Sequence, residues 1–249
     1  MEEEFLEDLR WLGLNWDGPV SRQSERRGLL GSVLSSLRRG GLLYPCHCSR
    51  RMLADVSAPH APTPVYPGFC RHRPPSWGER RGRLPSWRFR CPEGRLRWLE
   101  RFGPPGCLDG PAAVGDVVLR RADGLIGYHL ATAVDELLLG ISDVVRGADL
   151  WSSTAPQVAV MQALGASPPR YGHVPLWRER TGQRLSKRRA DEGLRGYRDR
   201  GYDSAAVIGD LAASLHLVEE GVRLSAGELL ASLHQEDLIR CLKTDAPDT

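Results

Sequence analysis

The stretch Ile141-Ser142-Asp143-Val144-Val145-Arg146-Gly147-Ala148-Asp149-Leu150 is a short apolar run that ends on an arginine and a glycine. Thr154 and Pro156 then open a helix that Gly165 stops. A run of this length, with paired valines and a glycine behind it, reads as a short apolar strand. Upstream, Val117-Val118-Leu119 and Leu125-Ile126 flank Arg120-Arg121-Ala122-Asp123-Gly124, a hairpin signal with Asp-Gly at the turn. Residues 129–139 carry helical spacing. Strand, helix, strand and helix in this order predict an open α/β sheet. Such sheets bind ligands beyond the carboxyl ends of their strands. Arg146 and Tyr128 stand at or near such ends, and a guanidinium there suits a carboxylate, because its planar fork matches the two oxygens. The competing roles are an ion pair of Arg146 with Asp143 or Asp149, and a packed tyrosine at 128.

Outward from this centre the periodicity stays helical at both ends. Phe5, Leu6, Leu9 and Leu12 predict a first helix closed by Gly13, and no capping residue precedes it. Asn15-Trp16-Asp17-Gly18-Pro19 reads as a turn. A second helix is predicted from about Ser24 to Arg39, with Leu29, Leu30, Val33, Leu34 and Leu37 as its apolar face and Gly40-Gly41 as its stop. Beyond Asp203, Val207, Ile208, Leu211 and Leu215 form one stripe. Ser225-Ala226-Gly227-Glu228 is a capping box that should open the last helix.

Residues 42–110 differ in character. Prolines and arginines concentrate, periodicity weakens, and Cys46-His47-Cys48 is followed by Tyr66-Pro67-Gly68-Phe69-Cys70. This reads as an irregular inserted module that needs something other than a core to hold it, and a metal would serve. Three clustered thiols suit zinc, which takes four ligands in a tetrahedron. On chemistry alone the fourth would be His72, then His47. Residues 71–101 also hold ten arginines with Trp77, Trp87 and Trp98 among them. That mixture suits phosphate contact and base stacking, or else a solvated basic surface.

Farther on, Thr181-Gly182 leads into Arg184-Leu185-Ser186-Lys187-Arg188. A basic loop of this kind can put an ammonium group on a triphosphate and stabilise charge as pyrophosphate leaves; it can equally be a solvated loop.

Composition bounds the rest. Of 249 residues, 41% are hydrophobic and 26% charged, with a formal net charge of +3, which is ordinary for a globular chain. No apolar run approaches the roughly 20 residues of a membrane span. The start, Met1-Glu2-Glu3-Glu4, is acidic with no apolar stretch behind it, so a secretory signal is not expected and the cytoplasm is the expected location. The six cysteines, without such a signal, point to metal rather than to disulfides.

Taken in order, these pieces resemble one family. Leu9-Arg10-Trp11-Leu12-Gly13-Leu14-Asn15-Trp16-Asp17-Gly18-Pro19, continued by Gln23-Ser24-Glu25-Arg26, is similar to the segment after the first nucleotide-binding half of glutamyl- and glutaminyl-type synthetases. Tyr44-Pro45-Cys46-His47-Cys48-Ser49-Arg50-Arg51 and Tyr66-Pro67-Gly68-Phe69-Cys70-Arg71 resemble the zinc module of the glutamyl-Q tRNA(Asp) synthetases. Asp116 to Gly124 and Asp143 to Leu150 are similar to the second half of the catalytic domain, and Arg184 to Arg188 stands at the family's lysine-methionine-serine-lysine-serine loop.

The resemblance implies a class I synthetase-type, Rossmann-like catalytic domain of α/β class, N-terminally incomplete, with an inserted zinc-containing module and a short helical C-terminal region. Residues 1–41 would be the remainder of the first catalytic half, 42–110 the zinc-binding module, 111–200 the second half with its ATP loop, and 201–249 the helical region. The implied activity is tRNA-independent activation of glutamate with ATP and Mg2+, then transfer to the queuosine base of tRNA(Asp). Tyr128 and Arg146 would bind glutamate, Lys187 would contact the ATP phosphates, and Cys46, Cys48, Tyr66 and Cys70 would hold one Zn2+. A monomer is expected.

Two departures accompany the match. The loop keeps its first charge with Ser186 and Lys187 but lacks the final serine. The family's first strand, its histidine-isoleucine-glycine-histidine-type ATP motif and its early glutamate-binding residues have no counterpart, so the chain as written is expected to be a poor catalyst. About 60 residues follow the basic loop, which favours the short family over a fragment of a discriminating glutamyl-tRNA synthetase; a non-catalytic, zinc-stabilised RNA-binding relative is the alternative of another class.

Overall fold

The computed structural model describes residues 2–54, 65–176 and 193–242. The chain begins with helix α1 (Glu2–Trp11), whose stop is Gly13 in the left-handed region at φ 72°. Helix α2 (Arg27–Arg39) follows a short 3-10 turn and buries Leu30, Leu34 and Leu37, the stripe expected from their spacing of four and three. Leu29, on the edge of that stripe, stays exposed.

Residues 43–120 carry more regular structure than their composition suggests. Strands β1 (Leu43–Cys46), β2 (Ser86–Phe89) and β5 (Val118–Arg120) make an antiparallel sheet in the order β1-β2-β5, and β3 (Arg95–Trp98) pairs with β4 (Gly106–Asp109). A short helix, α3 (Arg50–Ala54), follows β1. The expectation of a coreless insertion is corrected here. Phe89, Cys91, Leu96, Trp98 and Leu108 join the same buried cluster as α2 and the later helices. The strand β3 shows why periodicity was hard to see. Four residues are too few for a pattern, yet Leu96 and Trp98 point inward while Arg95 and Arg97 point out. Trp98, read as a possible base-stacking platform, is buried edge-on against Trp151 with ring centroids 5.0 Å apart.

The predicted hairpin is reduced to a tight turn. Gly124 adopts φ 88°, the Leu125 amide donates to Asp123 Oδ1 at 3.1 Å, and a single bridge joins Arg120 to Ile126. Helix α4 (Tyr128–Leu138) and strand β6 (Asp143–Gly147) come next. Helix α5 (Trp151–Ala163) begins three residues before Thr154, so Pro156 lies inside it rather than at its start. This helix is buried on nearly every side, with Ala155, Val158, Val160 and Met161 fully enclosed. It connects β6 to β7 (Arg170–Val174), which run parallel, Val144 beside Tyr171 and Arg146 beside His173. Among the described residues the parallel sheet is this pair, with a further bridge from Glu100 to Tyr171.

The remaining helices are α6 (Gly193–Asp199), α7 (Ser204–Ser214), α8 (Ala226–Ser232) and α9 (Gln235–Leu242). The capping box at Ser225 and Glu228 is present, but it opens the penultimate helix of the described chain, not the last. Val207 and Ile208 of α7 pack with Leu12 at the end of α1, and Arg198 pairs with Asp8 at 2.9 Å. No helix is long and apolar enough to cross a membrane among the described residues.

Candidate functional site

Two constellations emerge, one beside the β1-β2-β5 sheet and one on β6, α5 and β7. The first is the cysteine cluster. Cys46 ends β1, Cys48 follows it, and Cys70 returns through the turn at Gly68, which adopts φ 79°. The three sulfurs lie within 4.8 Å of one another, all in buried residues. Cys48 Sγ and Cys70 Sγ are 3.7 Å apart. The Tyr66 hydroxyl is 3.4 Å from Cys46 Sγ, 3.5 Å from Cys48 Sγ, and accepts from the Cys70 amide at 2.9 Å. A tetrahedral zinc with sulfur at ~2.3 Å and oxygen at ~2.1 Å sets edges of about 3.8 Å and about 3.6 Å. The Cys48–Cys70 separation and the two Tyr66 separations fit a cage of this size, with Cys46 Sγ within 4.8 Å of the other sulfurs. His47 is directed elsewhere, its Nε2 lying 2.9 Å from the Ser76 carbonyl oxygen. Burial pushes the Cys48 thiol up to about 11; burial works the same way on Cys46, but contacts with Tyr66, the Cys48 backbone and Arg88 hold that thiol below its usual range.

The cage has its own support, which residue spacing gave no sign of. Arg88, on β2, is buried with its guanidinium carbon 3.6 Å from the centroid of the Tyr66 ring, and it donates to the Asp116 carbonyl. The Asp116 carboxylate, 3% exposed, accepts from Tyr44 Oη at 2.6 Å, from the Cys91 amide at 2.8 Å and from Arg71. One carboxylate thus ties β1, β5 and the segment after Cys70 together. Of the arginine-rich run, Arg71, Arg88 and Arg101 are engaged in such internal bonds, whereas Arg73, Arg80, Arg83, Arg95 and Arg97 are exposed.

The second constellation surrounds Arg146. It stands at the carboxyl end of β6, beside His173 on β7 and facing α5. Its Nε donates to His173 Nε2 at 3.2 Å, Nη1 to Gln157 Oε1 at 2.9 Å and Nη2 to Thr154 Oγ1 at 2.7 Å. The guanidinium carbon lies 5.0 Å from the centroid of the Tyr171 ring. The expected alternative of an ion pair with Asp143 is excluded, because Asp143 is taken by Arg101 at 2.6 Å and Arg170 at 2.8 Å. No carboxylate among the described residues pairs with Arg146. Its hydrogen-bond partners are an imidazole, an amide and a hydroxyl. Of five N–H donors three are used, which leaves one on each terminal nitrogen for a two-oxygen ligand.

Tyr128, in the first turn of α4, is 50% exposed, and its ring meets His129 edge-on at 5.5 Å. It stands within electrostatic reach of Tyr171, the ring beneath Arg146. His129 is neutral here, since burial first and Arg146 second depress it to about 4. Glu136 receives the Tyr171 hydroxyl at 3.2 Å, and burial raises its carboxyl despite Arg146. Gln157, His173 and Glu100 were not singled out in the sequence, and Thr154 was read only as a helix start. Thr154 and Gln157 could have been read as site residues, being two polar residues three apart in the largely apolar middle of a helix. Lys187 and the basic loop around it lie outside the described residues.

Comparison with known proteins places this geometry. The family model for the catalytic domain of class I tRNA synthetases (E and Q) matches residues 1–221. A glutamyl-Q tRNA(Asp) synthetase of Synechococcus sp. (strain CC9605) is 52% identical over 234 residues, covering 94% of this chain and 72% of that protein. Another, from Symbiobacterium thermophilum, is 41% identical over 92% of this chain and 76% of its own length. Among solved structures, a glutamate-tRNA synthetase of Elizabethkingia anophelis superposes with a TM-score of 0.73 at 23% identity, over 95% of this chain. A glutamate tRNA ligase of Elizabethkingia meningosepticum in complex with its amino acid gives 0.67 at 22% identity. This chain spans 56% and 55% of those two chains. The fold is that of a class I synthetase catalytic domain, and the chain belongs to the class I tRNA synthetases of the E and Q type, a family of ligases.

Proposed function

We propose that this chain serves the tRNA-independent activation of glutamate by ATP and its transfer to the queuosine base of tRNA(Asp). The observation that carries the reading is the state of Arg146, a guanidinium that no described carboxylate pairs, bonded to an imidazole, an amide and a hydroxyl, with a donor left on each terminal nitrogen. An amino acid with a carboxylate side chain offers the missing charge, and the exposed Tyr128 is within electrostatic reach of Tyr171, the ring against Arg146. The name carried by relatives at 52% and 41% identity supports glutamyl-Q chemistry over charging of a 3′ end.

In the first step a glutamate carboxylate oxygen attacks the ATP α-phosphorus, forming the acyl phosphate bond while the bond to pyrophosphate breaks. Lys187 is assigned to the phosphates, where its ammonium group offsets charge on the leaving pyrophosphate, and Mg2+ accompanies ATP. In the second step a nucleophilic oxygen of the modified base attacks the acyl carbon and AMP leaves. Cys46, Cys48, Tyr66 and Cys70 are assigned to one Zn2+, whose role is to fix the loop between β1 and β2 rather than to take part in chemistry. Labelled glutamate tests the whole proposal. Glutamate-dependent ATP–pyrophosphate exchange should proceed without tRNA, and label should then appear in the anticodon fragment of queuosine-containing tRNA(Asp) after nuclease digestion. Label confined to a 3′-terminal fragment would replace this reading with that of a glutamyl-tRNA synthetase.

A further inference from the structure

Behind Arg146 lies a polar chain that contacts no open space of the site. Trp98 Nε1 donates to Glu100 Oε1 at 2.6 Å, and the same oxygen lies 2.8 Å from His173 Nδ1. His173 Nε2 then receives Arg146 Nε–H at 3.2 Å and lies 3.3 Å from Thr154 Oγ1. The side chains of His173 and Glu100 are 1% and 5% exposed. Burying a carboxylate and an imidazole this deeply is costly unless each bond is made in one definite sense.

The chemistry of the partners fixes that sense. A guanidinium has donors only, so the His173 nitrogen facing Arg146 must accept. The ring proton therefore sits on Nδ1, where Glu100 receives it. A proton on Nε2 would set two N–H groups against each other and release Arg146 from its bond. Tyr171 adds a wall to the arrangement, its ring stacked at 11° to that of His173, 6.2 Å between centroids.

We infer that Glu100 and His173 are positioning residues for amino-acid recognition: Glu100 locks His173 as the Nδ1–H tautomer, and the unprotonated Nε2 accepts from Arg146 and holds it turned toward the substrate carboxylate. This rests on the reading of Arg146 as the carboxylate clamp. The relay lets β7 and the segment after β3 set the angle of a side chain on β6, without touching the substrate. Behind metal-ligating histidines, carboxylate partners that fix the tautomer change affinity or activity about 10- to 100-fold on mutation, and the same orienting role is assigned to Glu100 here.

The test combines spectroscopy with binding. Nitrogen-15 NMR of histidine-labelled protein at neutral pH should show His173, assigned by its loss in His173→Gln, with Nδ1 protonated and Nε2 bare. Calorimetric titration with glutamate should show about a tenfold or greater loss of affinity in His173→Ala and in Glu100→Gln. His173→Gln, which restores an acceptor near the Nε2 position, should recover part of it, and ATP affinity should hold in all three. Arg146→Ala serves as the reference. If Arg146→Ala abolishes glutamate binding while His173→Ala and Glu100→Gln bind as the wild type does, the relay is overturned and the clamp stands. If Arg146→Ala itself binds glutamate normally, the clamp fails instead. An Nε2-protonated or doubly protonated His173 overturns the relay by a measurement that is independent of whether any variant folds.

Discussion

The guanidinium of Arg88 covers one face of the Tyr66 ring at 3.6 Å, while the hydroxyl of that ring points at the thiols of Cys46 and Cys48. A strand of the β1-β2-β5 sheet thereby holds the one oxygen of the cysteine cage. A cation over an aromatic face, shielded from water as Arg88 is, is worth about 2 kcal/mol. Arg88→Leu should keep the ring packed but lose its orientation, and zinc retention should fall about tenfold in competition with a chromogenic chelator. Retention equal to the wild type would show that the cage orders Tyr66 unaided.

Within the cage the ligands should rank by chemistry. Freshly purified protein is expected to contain about one zinc per chain by metal analysis. Cys70→Ala should abolish retention, since it removes a thiolate and leaves the Cys48 sulfur without its neighbour at 3.7 Å. Tyr66→Phe should weaken retention much less, because water can supply an oxygen where the phenol was. Equal loss in both variants would mean that the phenol oxygen is as strong a ligand as the thiolates. Metal removal should also lower the thermal midpoint, because binding energy in such a module is folding energy.

For Arg146 the discriminating comparison is between substrates. Arg146→Ala should raise the KM for glutamate at least tenfold and leave that for ATP nearly unchanged, and Arg146→Lys should recover little, since a point charge cannot grip two oxygens. A structural arginine would behave differently. With Thr154, Gln157 and His173 as its partners, all buried, its removal would lower stability and affect both substrates together.

How far these sites were legible depends on how each is built. The stripes of α2 and α7 and the apolar run of β6 announced themselves, because helices and apolar strands write their pattern into local sequence, although β6 is only half-buried and Val145 is exposed. Arg146 was visible for the same reason, as the polar end of an apolar run. Cys46, Cys48 and Cys70 were visible by composition, and the structure gathers their sulfurs in one place. Glu100 and Asp116 were not, because their partners lie 73 and 25 to 72 positions away and nothing in the intervening chain marks them. The strands β2, β3 and β4, four residues each, were too short to show a period. Pro156 misled the boundary of α5. The helix is anchored by Trp151 against Trp98, and that burial outweighs the signal of a proline as a helix start.

Asp116 should prove the most sensitive position for stability in the cysteine-bearing half. Its carboxylate receives a hydroxyl, an amide and a guanidinium from three separate segments while 3% exposed. Asp116→Ala leaves two buried donors without acceptors and reduces the Arg71 guanidinium to the Cys91 carbonyl and the exposed Glu93, a loss on the order of 3 kcal/mol. Asp116→Asn keeps the shape and one acceptor and should cost less. Urea unfolding followed by tryptophan fluorescence would check the order, and a loss below about 1 kcal/mol for Asp116→Ala would show that water replaces the carboxylate.

His129 should make the protein acid-sensitive. Burial and the nearby Arg146 charge depress its folded value to about 4, against an ordinary value near 6.5. The unfolded chain then binds a proton between these values that the folded chain refuses, so stability is complete above about pH 6.5 and falls as pH drops toward 4. At pH 5 the difference amounts to ~2 kcal/mol. Glu136 works in the opposite sense, because burial raises its carboxyl and favours the folded state as it protonates. The two are separable by substitution. His129→Gln removes the acid-side loss while leaving that of every other group, so the difference in unfolding free energy between wild type and variant should shift toward the variant by about 2 kcal/mol from pH 7.5 to pH 5. A difference independent of pH would mean that His129 takes up its proton in the folded protein as freely as in water, with Arg146 turned away from it.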